Sequence, residues 1–306
     1  MEASFAMPRI CTRALPLVAA LAMQACQSDP PDDAQDTDLP ARTFPEVIGG
    51  ARPAPVVHPI PYDPNETLPA VILLHGYGVT AGVEDLLFGF GRRVDTDKLL
   101  LVLPEGTVDE GGSQFWNAGV DCCGDLGPPV DDVAYIGGLI DELRATWRVG
   151  SVTVVGHSNG GYMAYRLACE APDKLDRMVV LAGADPVAPP TCVAGHPVGL
   201  MHVHGTADED VPYEAAAEPN ATPGAVESVR RQAERSGCDA TTTEIGAADL
   251  TAGVAGSEST GVAYDGCAQP VVLWTAEGGD HLFLGATDTF REGVAAFALG
   301  GSATFE

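Results

Sequence analysis

The chain has 306 residues, 45% of them apolar, and a formal net charge of −27 with only two lysines, Lys98 and Lys174. That length can bury a substantial core, as one large α/β domain or two small ones. The charge argues against nucleic acid or anionic lipid as a partner, because both need clustered positive charge; it suits solubility outside the cell.

At the N-terminus, Arg9 and Arg13 precede a short apolar stretch, Leu15 to Met23, interrupted by Pro16. This is the layout of an export signal, too short to span a bilayer as a stable helix. A start at Met7 would give a more usual signal length. Leu21-Ala22-Met23-Gln24-Ala25-Cys26 resembles a bacterial lipobox, which makes Cys26 the candidate lipidated residue. Met23 and Gln24 depart from the commonest lipobox residues, so plain cleavage near Ala25 is the competing expectation. From Ser28 to Pro40 the chain carries five aspartates, three prolines and one large apolar residue. Such a segment cannot bury enough surface to order itself and reads as a flexible acidic tether. The expected organisation is a signal over 1–25, a tether over 26–45 and one catalytic domain over 46–306.

Six apolar runs follow: Ala70–Leu74, Leu99–Leu103, Ser151–Val155, Met178–Leu181, Val198–His204 and Val271–Trp274. Runs without alternation suit parallel strands covered on both faces. Between them, Val133, Ile136, Ile140, Leu143 and Trp147 step by three and four, one face of a helix that Asp131 or Asp132 can cap. Val226–Arg235 and Thr287–Ala298 are further helix candidates. Alternating strands and helices predict a doubly wound, mainly parallel sheet with helices on both faces. Functional residues then belong in loops at the strands' C-terminal ends.

The third run leads directly into Gly156-His157-Ser158-Asn159-Gly160, with Gly161 and a helix-like stretch, Tyr162–Ala168, behind it. Strand, G-x-S-x-G, helix is the context of a nucleophile elbow, the turn that lifts a serine hydroxyl off a sheet in the α/β-hydrolase fold. A serine needs a base, and the base needs an orienting carboxylate. In that fold the chain order is Ser, then Asp or Glu, then His. Ser158, Asp208 after the fifth run and His281 after the sixth satisfy it. His58 and His75 precede the serine, His157 adjoins it and points away, His202 and His204 lie within a strand, and His196 precedes Asp208. For the acid, Asp210, Glu209 and Asp185 are rivals, with Asp210 the second choice. A free imidazole titrates near about 6.5, so activity should rise from acid toward neutral pH. Oxyanion donors are expected at the backbone N–H of Asn159 and in the loop after the first run, at Tyr77.

Several motifs stand together in one order: Leu74-His75-Gly76, Pro104-Glu105-Gly106, Trp116-Asn117-Ala118-Gly119 before Cys122-Cys123, and Asp131-Asp132-Val133. The serine motif follows, then Arg166-Leu167-Ala168-Cys169, His204-Gly205-Thr206-Ala207-Asp208, Tyr264-Asp265-Gly266-Cys267 and Gly278-Gly279-Asp280-His281. From about Leu68 onward the chain resembles the secreted polyhydroxybutyrate depolymerase, feruloyl esterase and acetylxylan esterase group of α/β-hydrolases. The resemblance implies the same triad and ester hydrolysis without cofactor or metal. It also supports a Cys238–Cys267 disulfide. Cys122, Cys123, Cys169 and Cys192 would form two more bonds of unassigned pairing. Two positions depart from the group, which often has cysteine where Tyr77 stands and a Trp-Pro pair where this chain has Leu282-Phe283-Leu284. No polymer-binding module is recognisable after the catalytic domain, which favours soluble or oligomeric esters. A serine peptidase of the same fold and a non-catalytic binding lipoprotein are the competing functions.

Overall fold

The computed structural model describes residues 44–119, 122, 130–187, 191–215 and 222–305. The predicted signal, Cys26 and the tether up to residue 43 lie outside these residues, as does Cys123. Among the described residues, no helix is long and apolar enough to cross a membrane.

In chain order the strands are β1 (Val47–Ile48), β2 (Ala54–Val57), β3 (Leu68–Leu74), β4 (Leu100–Val102), β5 (Thr107–Val108) and β6 (Gln114–Phe115). They continue with β7 (Val149–His157), β8 (Arg177–Leu181), β9 (Gly199–Gly205), β10 (Thr242–Ala248), β11 (Ser259–Tyr264) and β12 (Val271–Ala276). The helices are α1 (Ala81–Phe88), α2 (Val94–Asp97), α3 (Asp132–Thr146), α4 (Asn159–Glu170), α5 (Gly224–Arg235) and α6 (Asp288–Ala298). Ten strands form one sheet in the order β1-β2-β4-β3-β7-β8-β9-β12-β11-β10, while β5 and β6 pair separately.

The six apolar runs are the six central strands, β4-β3-β7-β8-β9-β12, and each pair among them is parallel. Their side chains alternate between two cores. Ala70, Ile72 and Leu74 face one, with α3, α4 and α5, whereas Val71 and Leu73 face the other, with α1 and α6. Both faces are dry, which is why the sequence shows no alternation there.

The sheet is wider than the runs predict. Antiparallel edges are added by β1 and β2 on one side and by β11 and β10 on the other. These strands are half solvated; β10, Thr-Thr-Glu-Ile-Gly-Ala-Ala, is exposed along most of its length. An edge strand of that composition carries little hydrophobic signal.

Helix α3 begins where expected, with the Asp131 carboxylate accepting from the N–H of Ala134 at 2.9 Å. Thr287 caps α6 in the same way, accepting from the N–H of Phe290. Phe44, near the end of the predicted tether, packs its ring against Tyr62 and Trp147. Disulfides join Cys238 to Cys267 and Cys169 to Cys192.

Candidate active site

Ser158 stands between the end of β7 and the first turn of α4 with φ 52° and ψ −120°. A non-glycine residue there is strained by about 1–3 kcal/mol, so the surrounding packing must impose the turn. Two glycines make the turn sterically possible. A Cβ at position 156 would lie 2.2 Å from the Gly160 carbonyl oxygen, and one at position 160 would lie 2.2 Å from that of Leu74.

Asp208 lies three residues past β9, and His281 five residues past β12. Gly205 lets their loops meet, because a Cβ there would lie 2.1 Å from the Gly279 carbonyl oxygen. Two hydrogen bonds join the loops, from Ala207 N–H to the Gly279 carbonyl at 3.0 Å and from Gly278 N–H to the Thr206 hydroxyl at 2.9 Å. His281 Nδ1 then lies 2.8 Å from Asp208 Oδ2, and Nε2 lies 2.9 Å from Ser158 Oγ. Only a donor can face the carboxylate, so Nδ1 carries the proton and Nε2 accepts from the serine.

The other Asp208 oxygen accepts from the N–H groups of Asp210 and Val211 at 2.9 and 2.8 Å. Burial raises this carboxyl's pKa, but hydrogen bonds from His204, His281 and Val211 outweigh it and hold the group well below the usual carboxylate range. The rival Asp210 is exposed, with no hydrogen bond to His281. Asp185 is buried elsewhere, paired to Arg235 at 2.7 Å.

Behind Asp208 runs a chain of buried polar side chains, His204 and His202 of β9 and Tyr165 of α4. His204 Nε2 lies 2.8 Å from the Val211 carbonyl and 3.2 Å from Asp208 Oδ2, so it must donate. In a neutral His204 ring Nδ1 then accepts from His202 Nε2–H at 3.0 Å, and His202 Nδ1 accepts from the Tyr165 hydroxyl at 2.8 Å. Burial and the neighbouring His204 push His202 well down, which fits a neutral ring, and burial pushes the Tyr165 hydroxyl well up. Every proton in this chain points toward Asp208.

A second buried pair lies on the other side of the serine. Glu84 of α1 is 3.2 Å from His157 Nδ1 and accepts from the N–H of Gly76 at 2.9 Å. His157 Nε2 donates to the backbone carbonyl of His281 at 2.9 Å. Burial disfavours charge on His157, but the hydrogen bond and the charge of Glu84 raise its pKa overall. The pair ties together the loop after β3, the serine turn and the His281 loop. Sequence reasoning missed Glu84; the signal was a lone carboxylate in an otherwise apolar helix face.

The candidate oxyanion loop lies against the nucleophile, since a Cβ on Gly76 would sit 3.6 Å from Ser158 Cβ. Tyr77 follows, its hydroxyl donating to Asp109 at 2.6 Å. Asn159 opens α4, whose first-turn N–H groups have no acceptor within the helix. Its side chain is engaged elsewhere: Oδ1 accepts from Trp116 N–H at 2.6 Å, and Nδ2 donates to the Trp116 carbonyl at 3.0 Å. Asp208, Asp210 and His281 also lie close enough to hold a cation, within 4.8 Å. Both nitrogens of His281 are already engaged, so a metal there would displace Ser158 or Asp208.

No family model matches the chain. Among solved structures, the acetyl xylan esterase from Aspergillus awamori superposes with a TM-score of 0.55, over 76% of this chain and 89% of that one, at 12% identity. The chain has the α/β-hydrolase fold. A protein of Nocardia uniformis subsp. tsuyamanensis that carries an esterase name, NocK, is 29% identical over 270 residues, 81% of this chain and 75% of that one. A protein of Aspergillus clavatus named as feruloyl esterase C is 28% identical over 153 residues, about half of each chain. These names agree with the esterase group that the sequence motifs resemble.

Proposed function

We propose that the protein is a serine hydrolase of carboxylic esters. The hydrogen-bonded line from Asp208 through His281 to Ser158 carries this reading. Ser158 Oγ attacks the ester carbonyl as His281 Nε2 takes its proton. Asp208 holds the imidazole in the tautomer that leaves Nε2 ready to accept, and stabilises the imidazolium that forms. The backbone N–H groups of Tyr77 and Asn159 face the oxyanion of the tetrahedral intermediate. His281 returns the proton to the departing alcohol, and water then cleaves the acyl-enzyme by the same route. These steps call for no cofactor or metal, only the ester and water.

Small or oligomeric esters are the substrate class, with feruloyl, acetyl and hydroxybutyrate esters as the first to try. Export fits the two disulfides, which persist in oxidising compartments. Lipidation at Cys26 completes the proposal; a lipidated protein partitions into detergent, and Cys26→Ser does not.

The deciding experiment is a panel of p-nitrophenyl acyl esters, methyl ferulate, acetylated xylan and hydroxybutyrate oligomers. Turnover of at least one, blocked by a serine-directed phosphonate that labels Ser158, is the expected result. Labelling elsewhere, or turnover of a peptide panel alone, overturns the reading.

A further inference from the structure

Beside Ser158 and His281 opens a cleft of about 870 Å³, far larger than an acetyl group needs. Two elements form its apolar wall. One is α1, where Val83, Leu86 and Leu87 take the spacing of a single helix face. The other is the segment after His281, where Leu282 and Leu284 flank Phe283. Exposure is high for these side chains: 73% at Leu86, 64% at Leu284, 53% at Val83 and 52% at Leu282. Every exposed leucine among the described residues lines this one cleft.

The exposure is built in. Phe283 has φ 50°, a left-handed conformation costly for an aromatic residue, and its ring is fully buried against Phe290. The Asp280 carboxylate accepts from Phe283 N–H at 2.8 Å, and Thr251 Oγ1 donates to the Leu284 carbonyl at 3.1 Å. Anchored at its centre and along its backbone, the segment holds the two leucines out of the core on either side of Phe283. Helix α1 is held too, because Arg291 Nε donates to the Leu87 carbonyl at 2.9 Å. Most polar side chains on the lining are turned to other partners: the Tyr77 hydroxyl to Asp109, Glu84 to His157 and Gly76, Arg291 to Leu87 and Asp288, and the Tyr162 hydroxyl to Thr222; the exposed Asp210 carboxylate also lines the cleft. A sugar would find few groups there to bond, whereas an alkyl chain would cover the leucines.

We propose that this cleft binds an aliphatic chain of the ester, of hexanoyl to decanoyl length. The inference rests on the hydrolase reading above and specifies its substrate. Each methylene buried adds up to about fourfold to kcat/KM, the equivalent of about 0.8 kcal/mol.

The test is kcat/KM for two series: p-nitrophenyl esters from acetyl to dodecanoyl, and acetate esters of alcohols over the same lengths. The first series places the chain on the acyl side, the second on the alcohol side. At least about a tenfold rise from acetyl to octanoyl length in either series is the expected result. Leu86→Ser and Leu284→Ser should each lower the octanoate-to-acetate ratio severalfold, and both sites are exposed enough that folding is not at stake. Val226→Ser, on the exposed side of α5, should leave the ratio unchanged. If acetate is cleaved at Ser158 and both series stay flat or fall, or methyl ferulate outruns octanoate, the aliphatic cleft is wrong and the hydrolase reading stands. If no ester is cleaved and Ser158 resists the phosphonate, both fall together.

Discussion

Beneath Ser158, buried side chains such as Asp208, His204, His202, His157 and Glu84 bond to one another or to the backbone. None of the described buried side-chain atoms that lack a partner belongs to this group. Above Ser158, Leu86, Leu282 and Leu284 of the cleft pack on little within the fold. The first region is over-determined: strained backbone, facing glycines and hydrogen bonds all fix the same few atoms. The second leaves side chains available to something outside the chain. One region would hold the chemistry and the other would choose what undergoes it, so changes in the two should separate rate from selectivity.

The sharpest way to break this division is Ser158→Ala. It should lower turnover by about 10⁶, the scale seen when a catalytic serine is removed in subtilisin, with folding intact. A purified variant that keeps more than a trace of esterase activity places the chemistry elsewhere in the cleft.

Next in size is Asp208→Asn, for which a loss of about 10⁴ in kcat is expected because the amide favours the wrong imidazole tautomer. The exposed Asp210→Asn should cost far less, because no hydrogen bond joins its carboxylate to His281, whose Nδ1 is held by Asp208. The reverse ranking would move the orienting acid to Asp210. Because its partners hold the Asp208 carboxyl well below the usual range, it stays ionised through the acid limb of the rate profile. The acid limb should therefore report the base that takes the serine proton, and not Asp208. A profile that is flat through that range counts against a histidine base.

The two regions also differ in how far they could be read from sequence. Ser158, Asp208 and His281 are placed by residue type and chain order, because few side chains can fill such roles, and the structure brings all three within hydrogen-bond reach. The six central strands were legible because burial on both faces leaves an unbroken apolar run. Helix α1 left no such trace: Gly82 interrupts it, and Val83 and Leu86 point into the cleft instead of the core. Leu282-Phe283-Leu284 stands out in sequence as the replacement of the group's Trp-Pro pair, but that both leucines are held out of the core follows only from the backbone of Phe283. His202 and His204 were read as strand residues, which they are; only the register of β9 shows that they lead to Asp208.

A smaller effect should come from the Glu84–His157 pair. Glu84→Leu leaves a buried imidazole and the Gly76 N–H without their acceptor, which should cost about 3 kcal/mol of stability by urea denaturation. His157 has a raised pKa, so its stabilising share is complete below the free imidazole value of about 6.5. That share disappears as pH climbs through the raised value. The difference between wild type and Glu84→Leu should accordingly be larger near pH 6 than near pH 9 (both about). Glu84→Gln should lose less, since its amide can donate to a neutral His157 ring. Equal losses at both pH values would mean that His157 is not held charged.

His204→Leu should produce a smaller change still, and the most informative one. It removes one donor from Asp208 while His281, Asp210 and Val211 remain. A hydrogen bond to a charged group contributes about 1.5–3 kcal/mol, or about tenfold to a hundredfold in kcat if it acts only as the imidazolium forms. KM should barely move, because His204 is fully buried and does not line the cleft. Leucine also leaves His202 Nε2–H without an acceptor, so lost stability alone proves nothing about orientation. His204→Gln separates the two: its amide nitrogen can still donate toward Asp208, while its single amide cannot reproduce both ring contacts. Recovery of kcat in Gln, with stability still reduced, would show that His204 acts by orienting the acid. If kcat in Leu matches wild type once the folded fraction is corrected for, the row from Tyr165 to His204 is packing and nothing more.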